Sequence, residues 1–281
     1  HVLSSAASDV YKRQVLNQLQ MGAIQGMGCS SVASTNLGPR FGLVNLPFLI
    51  DTNEKLEKFI GNKTLYNHFL MAMDHQGIMA LDVTTYGSYG WASTEPISSI
   101  GDMKKAKFRI AEAAVNQLTY KQWGVNPVPM PWPDVPVALK QGVITALDHT
   151  ELVCDLTKKF EVAKYYTEIN YAKGLFIWIF NKAWFNSLPA DLQKTFREVI
   201  QDVCADYRAQ GAQQEIDVKS KIKEAGIQIF QLPPAEMDIL RKQGNGVHEK
   251  YADEINQLYK GDTYRPKNFL KEVQDSVGYK P

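Results

Sequence analysis

The sequence predicts an α/β protein. Patterns for strand, turn and helix alternate through most of the chain. The run LFIWIFN at residues 175–181 is continuously apolar at strand length, as in a sheet covered on both faces. A helical pattern opens at Ser187, Pro189 and Asp191 and persists to Ala225, stopping at Gly226. At about 1.5 Å per residue, a helix of that length outruns one small domain.

Taken in order, residues 15–21 carry apolar side chains at helical spacing, with Gly22 to close them. Residues 26–33 are small and apolar and read as a buried strand, ending in the loop SVASTN. Residues 54–60 and 63–76 read as two helices, the first amphipathic. Residues 77–85 form a strand, and the stretch TYGSYGWASTEP after them reads as a Gly/Ser/aromatic crossing. Residues 107–110 alternate polar and apolar, which puts Arg109 near the end of a short strand. A helix over 113–123, a strand over 126–130 and a short helix from Asp134 to Lys140 follow. Asp134 is read as the N-cap and Gly142 as the stop. Beyond 175–181, the long helix carries Leu192, Phe196, Val199, Ile200, Val203 and Tyr207 on one side. IQIFQLP reads as a late strand and residues 234–259 as C-terminal helices.

The chain has 281 residues, enough for two modest domains or one large one. With 44% hydrophobic and 22% charged residues it has an ordinary globular composition and can bury a core. A formal net charge of +1 gives no preference for nucleic acid or anionic membrane. No apolar run reaches the roughly 18 residues of a membrane span. Cys29, Cys154 and Cys204 lie far apart without C-x-x-C spacing and read as buried thiols acting as small apolar residues, or as a disulfide pair in an oxidising compartment. No ligand spacing compels a metal site.

The chemistry-bearing stretch is residues 107–151. Arg109 offers a planar fork that matches a carboxylate with two parallel charge-assisted hydrogen bonds; its plainer role is a surface salt bridge. Trp132 stands between Pro131 and Pro133, which stiffen the backbone around it, and is either a pocket wall or a hydrophobic plug. Asp148 and His149 close the stretch; an imidazole there can donate to a ligand or be satisfied by the local backbone. Glu112 follows Arg109 by three residues and reads as a ligand contact or a solvated acid at a helix start. At the crossing, Tyr89 and Trp91 supply aromatic surface, and Asn170 with Tyr171 begins another crossing, as donors or as hinge residues.

This stretch resembles the solute-binding proteins of tripartite ATP-independent periplasmic (TRAP) transporters, the DctP-like family. The family's DMKGLK lead and single arginine are matched by Asp102-Met103-Lys104-Lys105-Ala106-Lys107 and Phe108-Arg109-Ile110. Further matches are GVNPVPMPW (124–132), VALKQGVITALDH (137–149) and FGLVNLPFLID (41–51), and the likeness runs from Val15 to the C-terminus. It implies a two-lobed, type II periplasmic-binding-protein-like fold with a helix spanning both lobes. Residues 1–86 with 175–214 would form lobe I, and residues 87–174 with 215–281 lobe II. The implied function is a periplasmic receptor, not an enzyme and without a cofactor, that takes a small organic acid and hands it to the membrane permease subunits; some relatives hold their ligand through a metal, for which Asp148 and Glu112 could serve. Arg109 would grip the carboxylate and Trp132 pack on the ligand, while His149 departs from the family's asparagine. Many relatives that bind sialic acid or dicarboxylates place a second arginine near residues 86–91; its absence here, with Tyr89 and Trp91 in its place, favours a monocarboxylate with an apolar, ring-containing or quaternary-ammonium body. Residues 1–14 lack the basic start and apolar core of a secretion signal and resemble translated sequencing-adapter sequence. The family's signal peptide, first strand and first helix are therefore expected to be missing. Two other readings share these residues: a ligand-sensing module for a signalling partner, and a hydrolytic enzyme using His149 with Asp148 or Cys154.

Overall fold

A single long strand organises the molecule. The computed structural model describes residues 9–36, 38–256 and 266–281; the reading of the N-terminal stretch lies, for residues 1–8, outside the described residues. Helix α1 (Asp9–Gln20) begins ahead of the expected residue 15 and leads to β1 (Gly26–Ser30), which is a half-buried edge strand rather than a buried one. Helices α2 (Asn53–Gly61) and α3 (Lys63–Leu70) start at Thr52 and Asn62, whose side chains accept from Lys55 N–H and Leu65 N–H. The second expected helix is shorter than its pattern, because Met71–Gln76 tightens into a 3-10 turn ended by Gly77 at φ 72°.

Strand β2 (Ile78–Ser93) runs for 16 residues, past the expected end at residue 85 and on through the Gly/Ser/aromatic crossing. Its tyrosines and tryptophan favour a pleated backbone, and strand partners are available along its whole length. From Ile78 to Ser88 it pairs antiparallel with β7 (Lys173–Asn181); from Tyr89 to Ser93 it pairs antiparallel with β5 (Ala146–Thr150). An irregularity between Thr85 and Ser88 separates the two regions. Between β2 and β5 come α4 (Ile100–Lys105), β3 (Phe108–Ile110), α5 (Ala114–Gln122), β4 (Val128–Pro129) and α6 (Val135–Lys140). The strand expected over 126–130 shrinks to two residues, consistent with prolines that cannot donate to a ladder. Asp134 lies in a 3-10 turn and makes no side-chain cap, correcting the expected N-cap.

After β5 come α7 (Glu151–Leu156), β6 (Tyr165–Glu168), β7, α8 (Lys182–Ser187), α9 (Ala190–Glu224), β8 (Gln228–Gln231), α10 (Pro234–Asn256) and α11 (Pro266–Val277). The sheet order is β1-β7-β2-β5-β3-β4, with β6 on β2 and β8 on β6. Strands β3, β4 and β5 are parallel, so their carboxyl ends meet at one edge. The apolar run of β7 is enclosed between β1 and β2 and is almost wholly buried.

Helix α9 extends over 35 residues. Its expected apolar stripe does not pack as a whole: Leu192, Val199, Val203 and Tyr207 are exposed. The buried line is instead Cys204, Arg208, Gly211, Val218 and Ile222. Arg208 bonds Glu57, Asp82 and the Val83 carbonyl, while Lys219 and Lys221 pair with Glu168 and Asp155. The C-terminal helices, expected with the second lobe, pack on α2 and α3 of the first as well as on α5. No described helix is long and apolar enough to cross a membrane.

Candidate functional site

The edge where the parallel strands end is where an α/β sheet offers a ligand its backbone. Arg109, in the middle of β3, is buried there. Its Nε donates to the Met130 carbonyl at 2.8 Å, and its Cζ lies 5.1 Å from the centre of the Trp132 ring. Trp132 opens a 3-10 turn between two prolines and is 7% exposed, so its ring is held in place. Lys159 Nζ lies 4.5 Å from the same ring and donates to Thr157 O at 3.2 Å. Burial first, and then the charge of Arg109, hold the Lys159 ammonium below its usual pKa.

His149, at the end of β5, is the centre of an aromatic group. Its ring centre is 4.7 Å from that of Trp132, 5.7 Å from Tyr89 and 5.8 Å from Tyr86. His149 Nδ1 accepts from Thr150 N–H at 2.9 Å, which puts the proton of the neutral ring on Nε2. Tyr86 and Tyr89 share a hydroxyl hydrogen bond of 2.7 Å. Burial pushes the Tyr86 phenol up to about 12 and Tyr89 well above its usual value, so both stay protonated donors.

Asp148, one residue earlier, turns to the opposite face of the strand. Its Oδ2 accepts from Tyr171 Oη at 2.7 Å and Asn116 Nδ2 at 3.0 Å, while Oδ1 is buried without a partner. Burial raises its carboxyl to about 6, against the opposing hydrogen bonds of Tyr171 and Tyr120 and the charge of Arg109. Glu151, at the start of α7, accepts from Tyr166 Oη at 3.0 Å and also keeps one oxygen, Oε1, unpartnered. Burial raises its carboxyl as well.

The structure thus brings Arg109, Trp132, His149 and Tyr89 to one region, while Asp148 faces the other side of β5 with Asn116, Tyr171 and, across the ladder, Trp91. Trp91 lies elsewhere: fully buried, it packs against Phe108 and Trp123 and donates its indole N–H to Tyr120 Oη at 2.8 Å, a core role. Glu112 is exposed between β3 and α5. Asn170 is exposed with φ 51°, and its backbone N–H donates to Tyr89 O, so it acts here through a left-handed turn. Lys159, Tyr86, Asn116 and Glu151 escaped the sequence reading. Asn116 had a visible signal, a polar residue on the inward face of α5 beside Val115, Thr119 and Tyr120.

One guanidinium, several fixed hydroxyl donors and an imidazole N–H suit a small anion that also carries polar groups. Nucleophilic chemistry is poorly served. Burial raises the Cys154 thiol far above its usual value, so it is not a thiolate. His149 Nδ1 accepts a proton-bearing group where an orienting carboxylate would have to receive one. Among the described residues, no group of three or more His, Cys, Asp or Glu side chains is placed to hold a metal ion.

A family model described as bacterial extracellular solute-binding protein, family 7 (DctP), matches residues 4–254. The 2,3-diketo-L-gulonate-binding periplasmic protein YiaO of Escherichia coli (strain K12) is 26% identical over 230 residues, covering 79% of this chain and 67% of that protein. The sugar acid binding protein DctPAm of Advenella mimigardefordensis, solved with galactonate, superposes with a TM-score of 0.86 at 21% identity, covering 98% of this chain and 84% of that one. A TRAP periplasmic solute binding protein of Shewanella oneidensis, solved with succinate, gives a TM-score of 0.83 at 22% identity, covering 96% and 84%. The fold is that of these type II periplasmic binding proteins, including the long helix.

Proposed function

This chain belongs to the family 7 bacterial extracellular solute-binding proteins, and on that premise we propose that it is a periplasmic receptor of a TRAP transporter. It captures an organic acid between two lobes and delivers it to the membrane permease. The lobes divide where β2 is irregular, between Thr85 and Ser88, with the elements before it and β7 on one side and those from 89 to 168 on the other, while the C-terminal helices pack against both. The observation that carries this reading is Arg109, a buried guanidinium at the carboxyl edge of parallel strands, resting on Trp132 beside His149. The fork meets a carboxylate, and the indole covers the ligand's carbon skeleton.

The acid is a monocarboxylate bearing hydroxyl or keto groups. Tyr86 and Tyr89 stand at the crossing as neutral donors, and Lys159 is turned to Thr157 O and the indole. Asp148, on the opposite face of β5, is held by Tyr171 and Asn116 and braces the strand that carries His149. A thermal-shift screen against aldonates, 2-keto acids, C4-dicarboxylates and betaines tests both levels. Stabilisation by a hydroxy or keto monocarboxylate is expected. Stabilisation by dicarboxylates alone removes the finer assignment, and a flat response to every acid removes the receptor reading.

A further inference from the structure

The chain passes between the two sheet regions at several places, and they meet at one buried group of side chains. The first crossing is β2 at its irregularity, where Gly87 takes φ 99° and Ser88 follows. The second is the segment leading into β7, where Tyr89 N–H donates to Ala172 O and Lys173 N–H to Ile50 O. The third is the middle of α9, where Gly211 lets the helix come so close that a Cβ there would sit 3.0 Å from Thr85 Cγ2.

Each crossing contributes one side chain. Lys173 Nζ, from the second, forms a close ion pair with Glu215, from the third. It also donates to Ser88 Oγ, from the first, at 3.1 Å, and that hydroxyl in turn donates to Glu215 Oε2 at 3.0 Å. The Lys173 side chain is 2% exposed and that of Glu215 17%. A buried ion pair adds little net stability over apolar residues of the same volume, because desolvation offsets the Coulomb gain. It does demand one geometry, since each charge is costly unless its partner stays in place. The ion pairs of α9 on either side, Arg208 to Asp82 and Lys219 to Glu168, clamp the helix to each sheet region and leave this knot between them.

We propose that Lys173, with Ser88 and Glu215, is the positioning residue of the hinge, holding the angle at which the two halves face each other. The proposal rests on the reading that capture proceeds by lobe closure. It concerns the ligand-free chain, so its test needs no ligand and can fail while the receptor reading stands. Spin labels at Lys63→Cys and Lys140→Cys, both exposed and on opposite halves, report the interlobe distance by double electron–electron resonance. The double variant Lys173→Met with Glu215→Gln removes both charges, leaving no unpaired ion. It is expected to fold with a cooperative melt while its distance distribution shifts or broadens. Ser88→Ala, which keeps the ion pair and removes the bridging hydroxyl, is expected to shift the distribution in the same direction by less; it decides the matter if the double variant does not fold. A distribution that matches the parent in the folded variants overturns the proposal.

Discussion

At the scale of single residues, the site is built from groups whose protonation is set by burial. Asp148 is the sharpest case, since its carboxyl rises from the usual 3.8 to about 6. Between those values the folded chain holds a proton that the unfolded chain has released. Its contribution to stability therefore falls as the pH rises through that window, by up to about 3 kcal/mol. Asp148→Asn removes the titration while keeping an acceptor for Tyr171 and Asn116. Melting both proteins at pH 4 and pH 7 should show the variant gaining on the parent at the higher pH. A constant offset between them would mean that Asp148 titrates normally. The same residue marks what the sequence could and could not reveal. Arg109, Trp132 and His149 were legible because a strand pattern, a proline-bracketed indole and an Asp-His pair are local signals. Lys159 and Asn116 were not, because what brings them in is the packing of α5 and of the segment after α7. Trp91 lies in the core with Phe108 and Trp123 because the strand alternation continues past residue 85, through the stretch that reads as a crossing.

At the scale of elements, strand and helix existence was readable and extent was not. β7 and α9 announce themselves through an unbroken apolar run and a long helical period. The length of β2 depends on partners far away in sequence, β7 on one side and β5 and β6 on the other, which local composition cannot report. In α9 the buried line includes an arginine and a glycine, so counting apolar residues selects the wrong face. The C-terminal helices depend on another hidden polar group. His248 on α10 is buried, donates from Nε2 to Pro47 O at 2.9 Å and accepts at Nδ1 from Gln274 of α11 at 3.1 Å. Its ring stacks on Tyr279 at 4.7 Å. Burial lowers its pKa from 6.5 to about 4. The stability it contributes is complete above the unfolded value and is lost as the pH falls from about 6.5 to about 4, amounting to roughly 3 kcal/mol. Hydrogen exchange at pH 7 and pH 5, corrected for intrinsic rates, should show α10 and α11 losing protection at the lower pH. Equal protection factors would contradict the buried neutral imidazole.

At the scale of the whole molecule, capture of a solute requires two halves that move as bodies and a strut that joins them. α9 has the length and the ion pairs on either side of its middle to be that strut. Closure brings the free energy of ligand burial to bear on the angle between the halves, and no covalent step is needed. The proposed anchor is Arg109, whose planar fork an ammonium cannot reproduce. Charge-assisted hydrogen bonds contribute about 1.5–3 kcal/mol each, so losing the fork should weaken binding by roughly a hundredfold or more. The direct measurement is calorimetric titration of the parent and of Arg109→Lys with the acid selected by thermal shift. Clear binding heat is expected for the parent and none detectable for the lysine variant; affinities within a few-fold of each other would mean that Arg109 does not anchor the ligand.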